Sequence, residues 1–284
     1  GKQLGAEDPR NGIPAFLAAV KRVRPFVVFM EEVDNLVHHG GVLAQAVSML
    51  QSEGYYVRTH LSNAVHYGTP QIRGRLVLVA SLLGPVDAPP FTISRMMTAG
   101  EALSALGSFA VGSAPELNLT EKQEAAIARF EALSRVRKSR DVVAGMPSRG
   151  VTAHNTIGVS GGTLRLLLDD GSTRRRLTVQ EVGLLQGLES RHIDALLQHH
   201  SDTAVRRALG DAVALPHAAA WGAHLRAHLD EWVSLHADVV RRLGTDAPAT
   251  RTVAVVQGLA AAPPQAADAA FLASLRKAPQ PASR

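Results

Sequence analysis

The sequence contains no cysteine. That absence excludes disulfides, thiolate metal sites and any thiol nucleophile carried by these 284 residues. Aromatic residues are scarce at 4%, and no apolar run reaches the length of a membrane span. The N-terminus lacks the basic, apolar, small-residue order of a signal peptide, so a cytoplasmic protein is expected. Charge of one sign is nearly balanced by the other, 30 Lys+Arg against 25 Asp+Glu, and the formal excess of +5 favours a polyanionic partner. The first residue is Gly rather than Met, which fits a piece of something longer.

What is present reads as alternating helix and strand. Residues 12–23 make a short helix, with Pro14 in its first turn and Phe16, Leu17 and Val20 along one side. "RPFVVFMEEV" is a continuous apolar run that ends in Glu31 and Glu32, the pattern of a strand buried on both faces in a parallel sheet. A helix at 42–53 and strands at "GYYVRTHLS" and "RLVLVAS" complete an α/β layer, whose functional groups are expected beyond the carboxyl ends of the strands. Proline and glycine between 84 and 118 mark a domain connection.

Thr120 and Gln123 form a candidate capping box for a helix whose apolar stripe is Ile127, Phe130, Leu133 and Val136, with Arg129, Arg135, Arg137, Lys138 and Arg140 outside. Residues 141–176 read as a small β-containing insert, with "DDG" at a hairpin turn. Thr178, Glu181 and Gly187 then cap and end a second helix. Residues 203–234 are predicted to be largely helical, and the Ala- and Pro-rich segment beyond about 245 is a candidate for disorder.

In "QIRGR", Gln71, Arg73 and Arg75 recur at every second position, so an extended backbone aims all three one way. His224 and His228 have zinc-ligand spacing, but Arg226 stands where a hydrolytic site needs Glu, and no metal is expected.

Taken in order, "GKQLGAEDPRN", "FMEEVDNL", "QIRGR", "RRRLTVQEVGLLQG" and "LGDAVALP" resemble the C5-specific DNA cytosine methyltransferase family over roughly residues 1–234. The resemblance implies an incomplete Rossmann-like sheet with a target-recognition insert and C-terminal helices. Its expected boundaries are 1–94 for part of the catalytic domain, 95–175 for the insert, 176–235 for returning helices and 236–284 for a tail.

It further implies transfer of a methyl group from S-adenosylmethionine to C5 of a cytosine flipped out of double-stranded DNA. Glu31 would protonate the ring nitrogen, and Arg75 would hold the cytosine carbonyl and a phosphate. Gln71 and Arg73 would brace that site, Arg73 being counted with the catalytic set. Gly210, Asp211, Ala212 and Val213 would stand beside the methyl donor. The basic run Arg174, Arg175 and Arg176 is a candidate phosphate grip.

Two residues depart from the pattern, Glu32 and Asp211, each where the family has Asn. The family's cysteine, which adds to C6 of cytosine, would lie in a Pro-Cys dipeptide just before Gly1, with a Gly-rich donor loop further upstream. Three possibilities stay open: a C-terminal portion of an enzyme inactive without that upstream sequence, one subunit of a split enzyme, or a DNA-binding module without catalysis. Methylation of RNA cytosine is a related reading with the same motifs.

Overall fold

The computed structural model describes residues 11–38, 40–133, 140–157 and 162–236. The first motif's opening residues 1–10, the basic residues 135–138 with Val136, and the tail beyond 236 therefore lie outside the described residues. In chain order the elements begin α1 (Ile13–Val23), β1 (Val27–Val33), α2 (Gly40–Ser52), β2 (Tyr56–Asn63), β3 (Gln71–Ile72) and β4 (Gly74–Ser81). They continue with α3 (Ala99–Leu103), α4 (Glu121–Leu133), β5 (Asp141–Val142), β6 (Ser148–Arg149), α5 (Ala153–Thr156), β7 (Arg165–Leu167) and β8 (Arg174–Arg176). The last helices are α6 (Val179–Leu185), α7 (Ser190–Leu197), α8 (Asp202–Asp211) and α9 (Leu215–Leu235). The described residues divide into two compact units, one drawn from 11–62, 75–89 and 221–236, the other from 63–74 and 90–220.

The first unit is built on a sheet of order β1-β4-β2. β4 is its middle strand, and Leu76 to Ala80 are at most 2% exposed. Alternation along the strands divides the apolar side chains between two layers. Val28, Met30, Leu78 and Ala80 pack with Ile13 and Val20 of α1 and Val42, Ala46 and Leu50 of α2. Val27, Phe29, Val77 and Val79 pack with Trp221 and Leu225 of α9. β1 runs antiparallel to β4, Glu31 opposite Val77 and Val33 opposite Arg75. The expected parallel pairing is thus corrected: burial on both faces makes a strand continuously apolar whatever its neighbour's direction.

The second unit holds the insert and more. One core joins Ala99 and Leu103 of α3, Val142, Leu164 and Leu166 around the small sheet, and Val179, Val182, Leu185, Ile193, Val205 and Leu209 of the later helices. The boundary expected at 176 therefore shifts, since α6, α7 and α8 share the insert's core and the chain returns to the first unit only at Trp221. The order of the small sheet is β5-β7-β8, with β7 and β8 forming the expected antiparallel hairpin. β3 pairs in parallel with β6.

Both capping boxes are present, at Thr120 with Gln123 and at Thr178 with Glu181. The stripe expected on α4 is only partly inward: Ile127 is buried, whereas Phe130 is 47% exposed.

Candidate active site

In the first unit, strand alternation puts residues 27, 29 and 31 of β1 on one face with 75, 77 and 79 of β4. Glu31 is directly opposite Val77, so Arg75 is its diagonal neighbour, a separation of about 7 Å between backbones that two long side chains readily span. They do: Arg75 Nε lies 2.8 Å from Glu31 Oε1, with side chains 15% and 18% exposed. Both groups are thus fixed yet reachable from solvent. Glu32 projects from the opposite face of β1, as the strand period requires, and its carboxylate accepts the Val33 amide at 3.4 Å. The extra acid is therefore not aimed at the Arg75 pair.

In the second unit, Gln71 and Arg73 are interior groups. Gln71 is fully buried; its amide nitrogen donates to the Leu185 carbonyl at 2.7 Å and to Gln186 Oε1 at 2.8 Å, and its oxygen accepts from the Val151 amide at 2.9 Å. Arg73, 3% exposed, donates to the carbonyls of Val151, of Gly210 at 3.1 Å and of Ala212 at 2.8 Å. A helix C-terminus leaves carbonyls without helical partners, and Arg73 caps those of α8. Its place in the catalytic set is corrected accordingly: a buried guanidinium already bonded to three carbonyls braces the chain and does not face a substrate.

The segment 210–213 is the exit of α8, and α9 begins two residues later at Leu215. Asp211 and Ala212 are exposed there. The Asp211 carboxylate makes no ion pair among the described residues, so an acceptor is available beside the Arg73-held turn.

The run 174–176 does not form one solvated face. As a strand it alternates, and Arg175 points inward. Arg175 is 1% exposed, donates to Glu181 at 2.9 and 2.6 Å, and reaches the Ser108 carbonyl at 2.8 Å. It cannot grip a phosphate from there, which corrects that expectation for Arg175. Arg174 pairs with Asp141 and Glu124, and Arg176 remains half-exposed without an ion pair among the described residues. Burial pushes the Glu181 carboxyl up, but the hydrogen bonds from Arg175, Ser108 and Thr178 outweigh it, and the net shift is downward.

Sequence reasoning missed Gln186 and Asn63. Gln186 is fully buried, accepts from Gln71 and donates to the Leu209 carbonyl. The Asn63 oxygen accepts the Arg73 amide at 2.9 Å. The signal for Gln186 was available, a lone amide interrupting the apolar stripe of "GLLQG". His224 and His228 are half-buried on α9, with Nε2 atoms 3.0 Å from the Asp87 carbonyl and 3.1 Å from the Ser81 hydroxyl.

Residues 1–226 match the sequence model of the family described as C-5 cytosine-specific DNA methylase. The chain belongs to that family. Among curated relatives it is 36% identical to the type II methyltransferase M.AplI of Arthrospira platensis over 188 residues, which cover 66% of this chain and 53% of that protein. It is also 31% identical to the type II methyltransferase M1.HphI of Haemophilus parahaemolyticus over 41% of this chain and 30% of that protein. The chain thus spans about half the length of M.AplI and less of M1.HphI.

Solved structures of similar fold include the Entamoeba histolytica methyltransferase EhMeth, with a TM-score of 0.55 and 15% identity over 82% of this chain and 70% of that one. The S. pombe Dnmt2 methyltransferase has a TM-score of 0.53 and 14% identity over 76% of this chain and 72% of that one. The fold is accordingly the α/β fold of DNA methyltransferases. No helix among the described residues is long and apolar enough to cross a membrane.

Proposed function

We propose that this member of the cytosine-5 methylase family supplies the target-base side of a methyl transfer from S-adenosylmethionine to C5 of a cytosine flipped from double-stranded DNA. The observation that carries this reading is the ion pair of Glu31 with Arg75 at one end of a rigid sheet. A guanidinium suits a carbonyl oxygen that gains negative charge, and an adjacent carboxyl group suits a ring nitrogen that must gain a proton. Arg75 turns to hold the cytosine carbonyl; Glu31, released from the ion pair, takes a proton from solvent and passes it to the ring nitrogen as the thiolate adds to C6, which makes C5 nucleophilic. Arg73 and Gln71 contribute by fixing backbone, not by touching the base.

The attacking thiolate is not supplied by this chain, whose cysteine count is zero. In this reading the thiolate comes from outside these 284 residues, which do not transfer methyl groups without it. When bound, the donor supplies an electrophilic methyl group. The turn at 210–213 fits such a cationic, hydroxyl-bearing donor, because the exposed Asp211 carboxylate can accept its hydrogen bonds.

The test is reconstitution: add a polypeptide bearing a Pro-Cys dipeptide and its Gly-rich loop, then follow labelled methyl transfer from S-adenosylmethionine to duplex DNA. Transfer that requires both components supports the reading. The absent cysteine also favours a second one, a non-catalytic DNA-binding subunit, for which the same assay gives duplex binding and no methyl transfer.

A further inference from the structure

Gln186 holds both ends of the segment that carries Asp211. Its side-chain nitrogen donates to the carbonyl of Leu209, in the last turn of α8, and its backbone carbonyl accepts the amide of Leu215, the first residue of α9, at 3.0 Å. One residue therefore sets the separation of the two helix ends that residues 210–214 connect. Between them, Arg73 takes the Gly210 carbonyl at 3.1 Å and the Ala208 carbonyl takes the Ala212 amide at 2.9 Å. The peptide groups on either side of Asp211 are thus fixed, while Asp211 itself is exposed.

The orientation of the Gln186 amide is dictated by its partners. A carbonyl can only accept, so the nitrogen must face Leu209 and the oxygen must face the Gln71 nitrogen, 2.8 Å away. Gln71 in turn accepts the Val151 amide at 2.9 Å. Three hydrogen bonds run head to tail from Val151 through two fully buried side chains to the end of α8, and bonds in such a chain strengthen one another away from water. Ending α6 does not require this side chain, because the Gln186 backbone amide makes those bonds, to Val182 at 3.2 Å and Gly183 at 3.0 Å. The amide group serves the α8–α9 turn instead.

We propose that Gln186 is a positioning residue for the methyl donor, acting through the turn at 210–213 to keep the Asp211 carboxylate where S-adenosylmethionine meets it. The inference rests on the donor reading of that turn and adds the residue that keeps it in shape. A turn free to move binds only from its competent conformations, and apparent affinity falls by that fraction. A turn pinned at both ends avoids the loss, since its order is established before the ligand arrives.

The experiment compares the parent with Gln186→Met, which keeps the length of the side chain and loses both its bonds, and with Gln198→Met as a control at an exposed position. In the reconstituted methylating complex, KM and equilibrium Kd for labelled S-adenosylmethionine should rise about tenfold, as for a turn that is competent about a tenth of the time, while the rate at saturating donor and the KM for duplex stay parental. In this chain alone, hydrogen exchange should quicken at the amides of 212–215 while α6 keeps its protection. In an Asp211→Ala background, Gln186→Met should raise the donor constants no further, because the carboxylate it positions is gone. Gln186→Glu is the second variant: buried, it can donate to Leu209 only when protonated, so its donor constants should return toward the parent's as pH falls.

A purely structural role gives a different pattern: fewer folded molecules lower the saturated rate and leave both donor constants parental, and that pattern overturns the proposal. Parental donor constants beside quickened exchange at 212–215 overturn it as well, since the donor then makes no use of the turn. So do raised donor constants beside parental exchange, which place the effect elsewhere. A parent complex that binds no S-adenosylmethionine refutes the donor reading itself, and the role of Gln186 falls with it. Failure of the variants to differ from a parent that does bind the donor overturns Gln186 alone and leaves that reading intact.

Discussion

Arg75 Nε lies 2.8 Å from Glu31 Oε1 across the β1–β4 ladder, one diagonal step from the direct cross-strand pair. The ion pair holds the two side chains in place, and the proposed roles of the two groups differ. In a reconstituted methylating complex, Glu31→Gln keeps the shape and removes the proton, and transfer should fall about 10²–10⁴-fold. Arg75→Ala removes the carbonyl donor and should cost about 10²–10³-fold. Rates of labelled methyl transfer to duplex DNA measure both, and wild-type rates in either variant reject the assignment.

Arg73 bears on stability rather than on chemistry. Removing it strands the carbonyls of Val151, Gly210 and Ala212 in the interior of the second unit. Arg73→Ala should destabilise by about 3 kcal/mol, the combined effect of buried acceptors left unmade. Arg73→Lys should recover little, since an ammonium cannot span carbonyls on two separate segments as a planar fork does. Urea denaturation gives the size of the loss, and hydrogen exchange should show it concentrated at residues 209–213.

These residues also mark how far the sequence was legible. The apolar pattern of β4 and the capping boxes of α4 and α6 depend on local chemistry, and they stand where the sequence put them. Strand direction did not, because β1 and β4 are joined by contacts distant in the chain. Arg73 and Arg75 looked equivalent in an every-second-residue pattern, yet β3 stops at Ile72 and β4 starts at Gly74, and the two guanidinium groups meet different partners. Likewise the Arg174–Arg176 run gave no sign that its middle member would be buried. Its burial rests on strand alternation together with the Ser108 carbonyl and Glu181, six residues on, which caps α6 and neutralises Arg175.

The Arg175–Glu181 pair gives a pH dependence with a definite sign. The folded Glu181 carboxyl titrates below its ordinary value of 4.5, so the native state binds fewer protons than the unfolded chain. Its stabilisation is complete above about pH 4.5 and is lost as pH falls through the lower folded value. Glu181→Gln should flatten that acid limb while costing about 3–5 kcal/mol near neutrality, because Arg175 is left buried without its counter-charge. Denaturant midpoints of parent and variant from pH 3 to 7 should converge toward the acid end; parallel curves would show that the pair contributes nothing.

Gly187 should tolerate no side chain. It follows α6 with φ of +80°, a left-handed conformation that disfavours residues with a Cβ by about 1 kcal/mol or more. A Cβ there would also stand 2.4 Å from Cδ and 2.7 Å from Cγ of Pro216, a ring that cannot rotate away. The Leu215 amide bonds the Gln186 carbonyl at 3.0 Å, so the two segments cannot separate without breaking that contact. Gly187→Ala combines strain with overpacking and should destabilise by about 2–4 kcal/mol. A shift of less than about 0.5 kcal/mol in urea, the range of an ordinary surface change, would mean that this junction is loosely packed.

Acid sensitivity in the first unit should arise near neutrality instead. His228 Nε2 is 3.1 Å from the Ser81 hydroxyl, which already accepts the Leu83 amide at 3.0 Å and so has its hydrogen free for a neutral ring. Burial lowers the His228 value from 6.5; Glu231 raises it and His224 lowers it further. A depressed folded value means the unfolded chain takes up a proton first. Stability is therefore intact above about pH 6.5 and declines as pH falls from there toward the folded value, by at most about 1.4 kcal/mol per pH unit. His228→Gln, which keeps a polar group and removes the titration, should abolish that decline below about pH 6.5. An identical decline in the variant would assign it to other histidines.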